Sequence, residues 1–391
     1  MAQQPKAPTN FGFGEDEAML RDLARRFLAE KIPPHALRRL VAGPPEPVYE
    51  DGEPAPWDRT LWDEIVELGW TALAVPEEDN GAGVSMVGVV ALLEEVGRHA
   101  LPSPLIPTLA SSLVLRTAGT ERARNLNREI AAGKTVSLVL ADERGGWEPA
   151  HAPIEARREG SALVLSGTGF FVQDASKVDS LLVVSRLGDE RLLCSVATDS
   201  TGLRLQNDQI HDLTRSQATV HFDDVVIETS AVVSDDADHV LKAAWPGILV
   251  LVAADLVGCS EWQLQTTVEY AKQRVQFDRP LGFFQAVKHP LVDAMVGIDR
   301  ARSLLYHAAC EIDMGSAEAE VAARMAKSAA SDAGAFISDR SVQLHGGIGF
   351  TWECDVHIFF KRSMHNQALF GDGTYQRQKL ADVLIGPIAA R

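Results

Sequence analysis

The feature that most constrains this chain is that the spacing of its apolar residues changes twice along the sequence. Up to about residue 133 they recur every three or four positions, as in Leu20, Leu23 and Phe27, which is the period of an amphipathic helix. From there to about residue 232 they form short runs rich in Val, Leu and Thr, separated by Asp, Gly and Ser, which is typical of strands. The helical period then returns almost to the end, so the pattern predicts an α+β fold.

These changes divide the chain into three predicted domains. Residues 1–133 form an N-terminal helical domain, residues 134–232 a middle antiparallel β-domain, and residues 233–391 a C-terminal four-helix bundle. The periodicity predicts helices over roughly 16–31, 59–70, 85–99, 237–273, 284–314, 317–344 and 353–368, with another after Gln376. It predicts strands within 135–142, 161–167, 180–186, 191–198 and 218–227.

One stretch, residues 243–257, is apolar enough to resemble a membrane span. It is shorter than the roughly 20 residues that cross a bilayer, and it contains Pro246 and Asp255. We therefore expect a buried core helix. A carboxylate inside such a helix is expected to face a polar pocket or to pair with a neighbouring helix.

Composition excludes some classes of function. The formal net charge of -17 disfavours nucleic acid and anionic membranes as partners, since both need a basic surface. The four cysteines, Cys194, Cys259, Cys310 and Cys354, form no CxxC pair and are expected to be reduced and mostly buried. The first residues lack the apolar core of a signal peptide, so we expect a cytoplasmic location.

Several common binding motifs are absent from the sequence. No glycine cluster has GxGxxG spacing after a strand, which disfavours a Rossmann dinucleotide site. No HExxH occurs and no group of His and Cys has metal-ligand spacing, so no metal site is predicted.

Three C-terminal segments carry most of the functional information. Residues 274–289 (RVQFDRPLGFFQAVKH) join two long helices and offer cations, aromatic rings and an amide, a set that suits phosphates and a flat ring. Residues 343–353 (QLHGGIGFTWE) place glycines after a helix, where a backbone can approach a ligand closely. Residues 370–376 (FGDGTYQ) put a carboxylate on a turn. Each segment alone is also explained by ordinary helix capping.

Taken in this order, the three segments closely resemble the C-terminal half of acyl-CoA dehydrogenases. Residues 76–98 (PEEDNGAGVSMVGVVALLEEVGR) are similar to a connection in the same family, so the resemblance covers nearly the whole chain. The sequences of these segments are most similar to those of bacterial members that act on steroid side chains and other bulky acyl-CoAs. The resemblance implies a helical, β and helical-bundle architecture and a role in lipid metabolism and steroid degradation.

The resemblance also implies that FAD binds between the β-domain and the bundle. Arg274 is expected to meet the pyrophosphate, and Gln343, Gly346 and Gly347 to contact FAD across a subunit interface. Carried over residue by residue, the expected FAD contacts are Arg274, Phe277, Gln285, Gln343, Gly346, Gly347, Thr374, Gln376, Phe171 and Gln173.

The family's reaction is α,β-dehydrogenation of an acyl-CoA thioester. A carboxylate removes the α-proton while hydride passes to the flavin, and Asp372 stands where many members carry a glutamate base. The resemblance implies an electron-transfer flavoprotein or similar acceptor, and a homo- or heterotetramer with a related dehydrogenase chain.

The sequence departs from the family pattern in three places. Asp372 is one methylene shorter than the usual base, and Leu249 stands where an arginine often meets the acyl-CoA. Residues 141–146 (ADERGG) replace the usual Thr-Glu-Pro segment, which is followed by Gly-Ser. Three hypotheses follow: an active dehydrogenase that uses Asp372, a non-catalytic partner subunit of a heteromeric dehydrogenase, or a flavin oxidase of the same fold that uses Asp372.

Overall fold

The computed structural model describes residues 11–42, 57–147 and 151–386. Its N-terminal part is helical, as predicted. The described helices are α1 Glu15–Lys31, α2 Pro34–Ala42, α3 Arg59–Glu67, α4 Met86–Arg98, α5 Leu105–Ala118 and α6 Glu121–Ala131. Helix α4 begins where the Ser85 hydroxyl accepts a hydrogen bond from the Gly88 amide at 3.2 Å, a standard N-cap. Almost all of α4 is buried, so it forms part of the protein core rather than an outer layer.

The middle part is one sheet of eight strands within the described residues. They are β1 Val136–Val139, β2 Ile154–Glu159, β3 Ala162–Gln173, β4 Ser180–Leu187, β5 Glu190–Ala197, β6 Leu203–Asn207, β7 Gln217–Glu228 and β8 Val232–Ser234. The order is β6-β7-β3-β2-β4-β5-β8, with β1 beside β4.

The prediction of an antiparallel sheet was wrong in one respect, because the sheet is mixed. Strand β4 pairs in parallel with both β1 and β2, while the other pairs are antiparallel. Alternation of apolar residues reports which face a side chain occupies and carries no information on strand direction. Direction is set by the long connections between these strands, which the pattern does not reveal.

The C-terminal part consists of long helices, in agreement with the predicted fold class. They are α7 Ala237–Gln273, α8 Gln285–Asp313, α9 Ala319–His345, α10 Val356–Ala368 and α11 Gly373–Leu384. A two-stranded hairpin, β9 Val275–Gln276 and β10 Arg279–Pro280, separates α7 from α8.

Helix α7 runs through the centre of the molecule and begins and ends at the predicted residues. It is long and apolar enough to cross a membrane, but every residue from 244 to 260 is buried against other parts of the protein. The expectation of a core helix is therefore confirmed.

Asp255 of α7 lies at the junction of the three structural parts and is fully buried. Its carboxylate accepts hydrogen bonds from Arg362 of α10 at 2.7 and 3.1 Å, from Arg215 before β7 at 2.8 Å, and from Asn366. Burial opposes its ionisation, but the charges of Arg362 and Arg215 outweigh that effect and hold the pKa of Asp255 below its usual value. The predicted pairing with a neighbouring helix is confirmed.

Sequence patterns did not identify several short elements. Helices α2, α5 and α6 and strands β2, β6 and β8 were not predicted. Strand β2 reads IEARRE, and only two of its six residues are buried, so it shows little apolar signal. Helix α5 is buried along most of its length and therefore shows little amphipathic contrast.

Candidate functional site

A small cavity lies where the β-domain meets the helices, and we call it the ring cavity. Its volume is about 30 Å³, room for about one water molecule. It is lined from α5, β1, β3, α7 and the segment before α11, by residues that include Ile106, Leu138, Trp147, Phe171, Gln173, Arg215, Ile248 and Phe370. The lining is mostly apolar and aromatic.

Two of the aromatic residues that line the ring cavity have strained backbones. Phe171 has φ of 57°, at an irregularity between Gly169 and Val172 where β3 shifts register against β7. Phe370 also has φ of 57°. Positive φ is rare for bulky residues and costs about 1–3 kcal/mol, so the surrounding fold must enforce both conformations.

Trp147 joins these two phenylalanines. Its ring centroid lies 6.2 Å from that of Phe171 and 5.2 Å from that of Phe370, in tilted and edge-on arrangements that are favourable for aromatic rings. Trp245 of α7 makes a further edge contact with Phe370 at 5.5 Å. Aromatic side chains of this chain therefore pack against one another along one side of the ring cavity.

The loop that carries Trp147 is held by Asp142. The Asp142 carboxylate accepts hydrogen bonds from the backbone amides of Arg144 at 3.0 Å and Gly146 at 2.9 Å. This is an Asx turn, which fixes the loop locally. The departure from the family pattern at residues 141–146 thus produces an ordered turn that ends at Trp147.

Gln173 lines the ring cavity, and its side-chain amide is hydrogen-bonded to other residues of this chain. Its nitrogen donates to the carbonyl of Phe171 at 3.1 Å and to Gln217 at 3.0 Å, and its oxygen lies 2.8 Å from Nε2 of His365. Burial lowers the pKa of His365, so the imidazole is neutral at pH 7 and donates through Nε2. Both donors of Gln173 are thus already used, and its expected contact with FAD stays a prediction.

Asp372 caps the N-terminus of α11. Its carboxylate is exposed and accepts a hydrogen bond from the Tyr375 amide at 2.8 Å, and it is not among the residues that line the ring cavity. Its assignment as a catalytic base stays a prediction. Thr374, on the first turn of the same helix, is exposed and accepts a weak hydrogen bond of 3.4 Å from Arg377.

The turn before Asp372 is fixed by buried polar side chains. Nζ of Lys327 donates to the carbonyls of Gln367 and Gly371, both at 2.9 Å. Gln376 is fully buried, and its amide nitrogen donates to the carbonyls of Phe370 at 2.7 Å and Gly371 at 3.3 Å. The predicted FAD contact of Gln376 would compete with these bonds.

The remaining predicted FAD residues lie together on an exposed surface at one end of the bundle. We call it the bundle-end face and define it as residues 274–285 and 343–350. The two segments are linked by Tyr270, whose ring stacks on that of His345 with centroids 4.3 Å apart. The predicted contacts on this face are all exposed: Arg274, Phe277, Gln285, Gln343, Gly346 and Gly347.

The hairpin on the bundle-end face presents an aromatic ring to solvent. Phe277 and Asp278 form its two-residue turn with φ of 55° and 57°, and Phe277 is 85% exposed. Such turns favour Asn and Gly, so this pair is costly for the isolated chain. Across the face, a Cβ added at Gly346 or Gly347 would meet no atom within 4 Å, which leaves open space above that backbone.

The two groups of residues fit a flavin nucleotide unequally. A site for a ligand of this size needs about 300–1,000 Å³, so the ring cavity as closed by Trp147 does not accommodate a flavin ring. The bundle-end face offers a guanidinium, amides, an aromatic ring and accessible glycine backbone, which suits phosphates and a flat ring. Among the described residues, no group of three or more His, Cys, Asp or Glu side chains could hold a metal ion.

Comparison with known proteins agrees with this architecture. The sequence profile of the acyl-CoA dehydrogenase N-terminal domain matches residues 14–128, and that of the acyl-CoA dehydrogenase C-terminal domain matches residues 250–385. The chain is 31% identical to acyl-CoA dehydrogenase IpdE2 of Mycobacterium tuberculosis over 352 residues, which cover 89% of this chain and 91% of IpdE2.

Solved structures give the same result. A steroid ACAD variant of Tcur3481-Tcur3483 is 29% identical, with a TM-score of 0.83 over 95% of this chain and 98% of that one. The ChsE4-ChsE5 complex from Mycobacterium tuberculosis shares the fold at 24% identity, with a TM-score of 0.85 over 97% of this chain and 100% of that one. The chain therefore belongs to the acyl-CoA dehydrogenase family of FAD-dependent oxidoreductases.

Proposed function

We propose that this chain is one subunit of a two-chain, FAD-dependent acyl-CoA dehydrogenase. In this proposal the bundle-end face completes a flavin site whose ring lies on a second, related chain. The observation that carries it is the contrast within the predicted FAD residues. Those that would reach across an interface are exposed, whereas the cavity that would hold a ring on this chain has a volume of only about 30 Å³.

An exposed apolar stripe supports assembly with another chain. Val292, Met295 and Val296 lie one turn apart on α8 and are 45–58% exposed. On the bundle-end face, Phe277 and Phe350 are 85% and 75% exposed. Apolar side chains grouped in this way mark interaction surfaces more often than chance exposure. The partner that fits is a second dehydrogenase-like chain, because the resemblance assigns the family's interface contacts to residues of the bundle-end face.

For the assembled enzyme we propose a steroid-derived or otherwise bulky acyl-CoA as substrate and an electron-transfer flavoprotein as acceptor. What supports the substrate class is the similarity to the steroid ACAD at 29% identity. Two of the similar structures, Tcur3481-Tcur3483 and the ChsE4-ChsE5 complex, are named as pairs of chains, which supports a heteromer for this chain as well.

A self-sufficient dehydrogenase is the second candidate. The observation that favours it is the position of Asp372, two residues after Phe370, which lines the ring cavity. A different conformation of this turn, with the Asp372 carboxylate pointing inward, would bring a base beside the ring cavity. It would also require the buried hydrogen bonds from Lys327 and Gln376 to this turn to rearrange.

The experiment is to purify this chain alone and together with a related dehydrogenase chain from the same organism. Flavin absorbance at equal protein concentration is recorded for both, before and after anaerobic addition of short, branched and steroid-derived acyl-CoAs. The proposal expects flavin and its bleaching only in the two-chain sample, and no loss of bleaching when this chain carries Asp372→Asn. Flavin that is bound and bleached by the single chain, and no longer bleached after Asp372→Asn, would instead establish the second candidate.

A further inference from the structure

We infer that Trp147 acts as a built-in plug of the ring cavity, and that removing its indole opens a site for a flat heteroaromatic ring such as an isoalloxazine. This inference deepens the proposed function, on which it rests for the identity of the ring. It adds that a single side chain closes the site on this chain.

The first support is the arrangement of rings. The indole of Trp147 contacts Phe171, which belongs to the β-domain, and Phe370, which belongs to the segment before α11. It thereby joins the two sides between which a flat ligand would lie. The centroid distances of 6.2 and 5.2 Å are those of ordinary aromatic contacts, so the indole packs between the two phenylalanine rings.

The second support is the polar atom left on the cavity wall. Arg215 lines the ring cavity and is only 4% exposed, and its Nη2 binds Asp255 at 2.8 Å. Its Nε has no hydrogen-bond partner among the described residues. A buried donor without a partner is costly, and the ring-nitrogen or carbonyl edge of a heteroaromatic ligand would satisfy it. The indole offers no acceptor for this donor, because its nitrogen carries a hydrogen.

The third support is that the plug is separable from the fold. Trp147 is only half-buried, whereas the turn before it is held by the Asp142 carboxylate through the amides of Arg144 and Gly146. Replacing the indole leaves these backbone bonds in place. Because Trp147 is itself half-exposed, we expect the space it vacates to open to solvent.

The test uses the full-length chain alone, with riboflavin as the probe and quenching of its fluorescence as the signal. The variant is Trp147→Ala. The matched control is Trp57→Ala, which also removes a half-buried indole; Trp57 packs on Trp62 and does not line the ring cavity. We expect Trp147→Ala to bind riboflavin at least tenfold more tightly than the unmodified chain and the control. Equal binding by all three proteins would overturn the inference.

A second probe distinguishes a site for a heteroaromatic ring from nonspecifically exposed apolar surface. The dye 1-anilinonaphthalene-8-sulfonate responds to any exposed apolar surface. If Trp147→Ala gains this dye but no riboflavin, the opened space is not a heteroaromatic site and the inference fails. If Trp147→Ala does not fold, Trp147→Leu is used with the same expected direction. Failure here, with flavin still present in the two-chain sample, leaves the proposed function intact, so the two outcomes are distinguishable.

Discussion

The ring cavity and the bundle-end face are assigned by the family resemblance to one cofactor, and they are built in opposite ways. The ring cavity is closed by Trp147, Phe171 and Phe370, and the amide of Gln173 beside it is already bonded. The bundle-end face is open, with Arg274 and Phe277 exposed. Under the proposed function, this chain would keep the part of the site that serves a neighbour and close the part that would serve itself.

The largest effect on stability is expected at Asp255, whose partner Arg215 lines the ring cavity. Asp255→Ala leaves the charges of Arg362 and Arg215 buried without their partner, so we expect the free energy of unfolding to fall by about 3–5 kcal/mol. Urea denaturation measures it. The control is Asp238→Ala, which removes an exposed partner of Arg191 and should cost less than about 1 kcal/mol. Similar losses in both variants would show that the buried junction is not special.

A second prediction tests the bundle-end face. Arg274→Ala should leave stability within about 0.5 kcal/mol, because the side chain is exposed. In the two-chain assembly it should weaken flavin retention by about 1.5–3 kcal/mol, the usual cost of losing a charged hydrogen bond. Dialysis followed by flavin absorbance measures retention. Lys272→Ala removes a nearby exposed cation and should retain the flavin. Full retention in Arg274→Ala would remove this residue from the site.

A third prediction concerns pH and the buried turn. Burial lowers the pKa of Lys327 from its usual 10.5 to about 7, against an opposing effect of the Asp372 charge. Between these values the unfolded chain holds a proton that the folded chain lacks, so stability should rise with pH, by up to about 1.4 kcal/mol per pH unit. Among the described residues the acceptors of Lys327 Nζ are the carbonyls of Gln367 and Gly371 and the Ser331 hydroxyl 3.1 Å away, none of them a carboxylate that would offset the cost of burying a charge.

The measurement is urea denaturation at several pH values between 7.5 and 9.5, with Lys327→Met as the comparison. Methionine cannot titrate, so the difference in free energy between the two proteins isolates Lys327. We expect that difference to change with pH in the stated direction. A constant difference would mean that Lys327 stays protonated when buried.

The smallest effect is expected at the hairpin of the bundle-end face. Phe277→Asn should relieve the strain of positive φ, since Asn tolerates this conformation, and raise stability by up to about 1 kcal/mol. Thermal unfolding of the single chain measures the gain. In the assembly the same substitution should reduce flavin retention, because the exposed ring is lost. A gain in stability without loss of flavin would show that Phe277 serves the hairpin alone.

The sequence by itself determined the order of the three structural parts, helical, β and helical, and the family. The bounds of α7 were predicted to the residue because the helical period begins after the acidic pair at 235–236 and ends at the turn-rich segment that starts at Arg274. The residues of the bundle-end face could be predicted as FAD contacts because each lies within a short continuous segment, and that role stays a prediction. Pairing of Asp255 followed from the cost of burying a lone carboxylate.

Tertiary structure alone decided what the site can hold. Trp147 lies in a loop, Phe171 on a strand and Phe370 before a helix, and only folding brings their rings together. The parallel pairing of β4 and the inward orientation of Gln376 were likewise invisible, because local periodicity reports burial but neither strand direction nor distant hydrogen-bond partners. A cavity is a property of residues far apart in sequence, so its closure could be established only from their contacts in three dimensions.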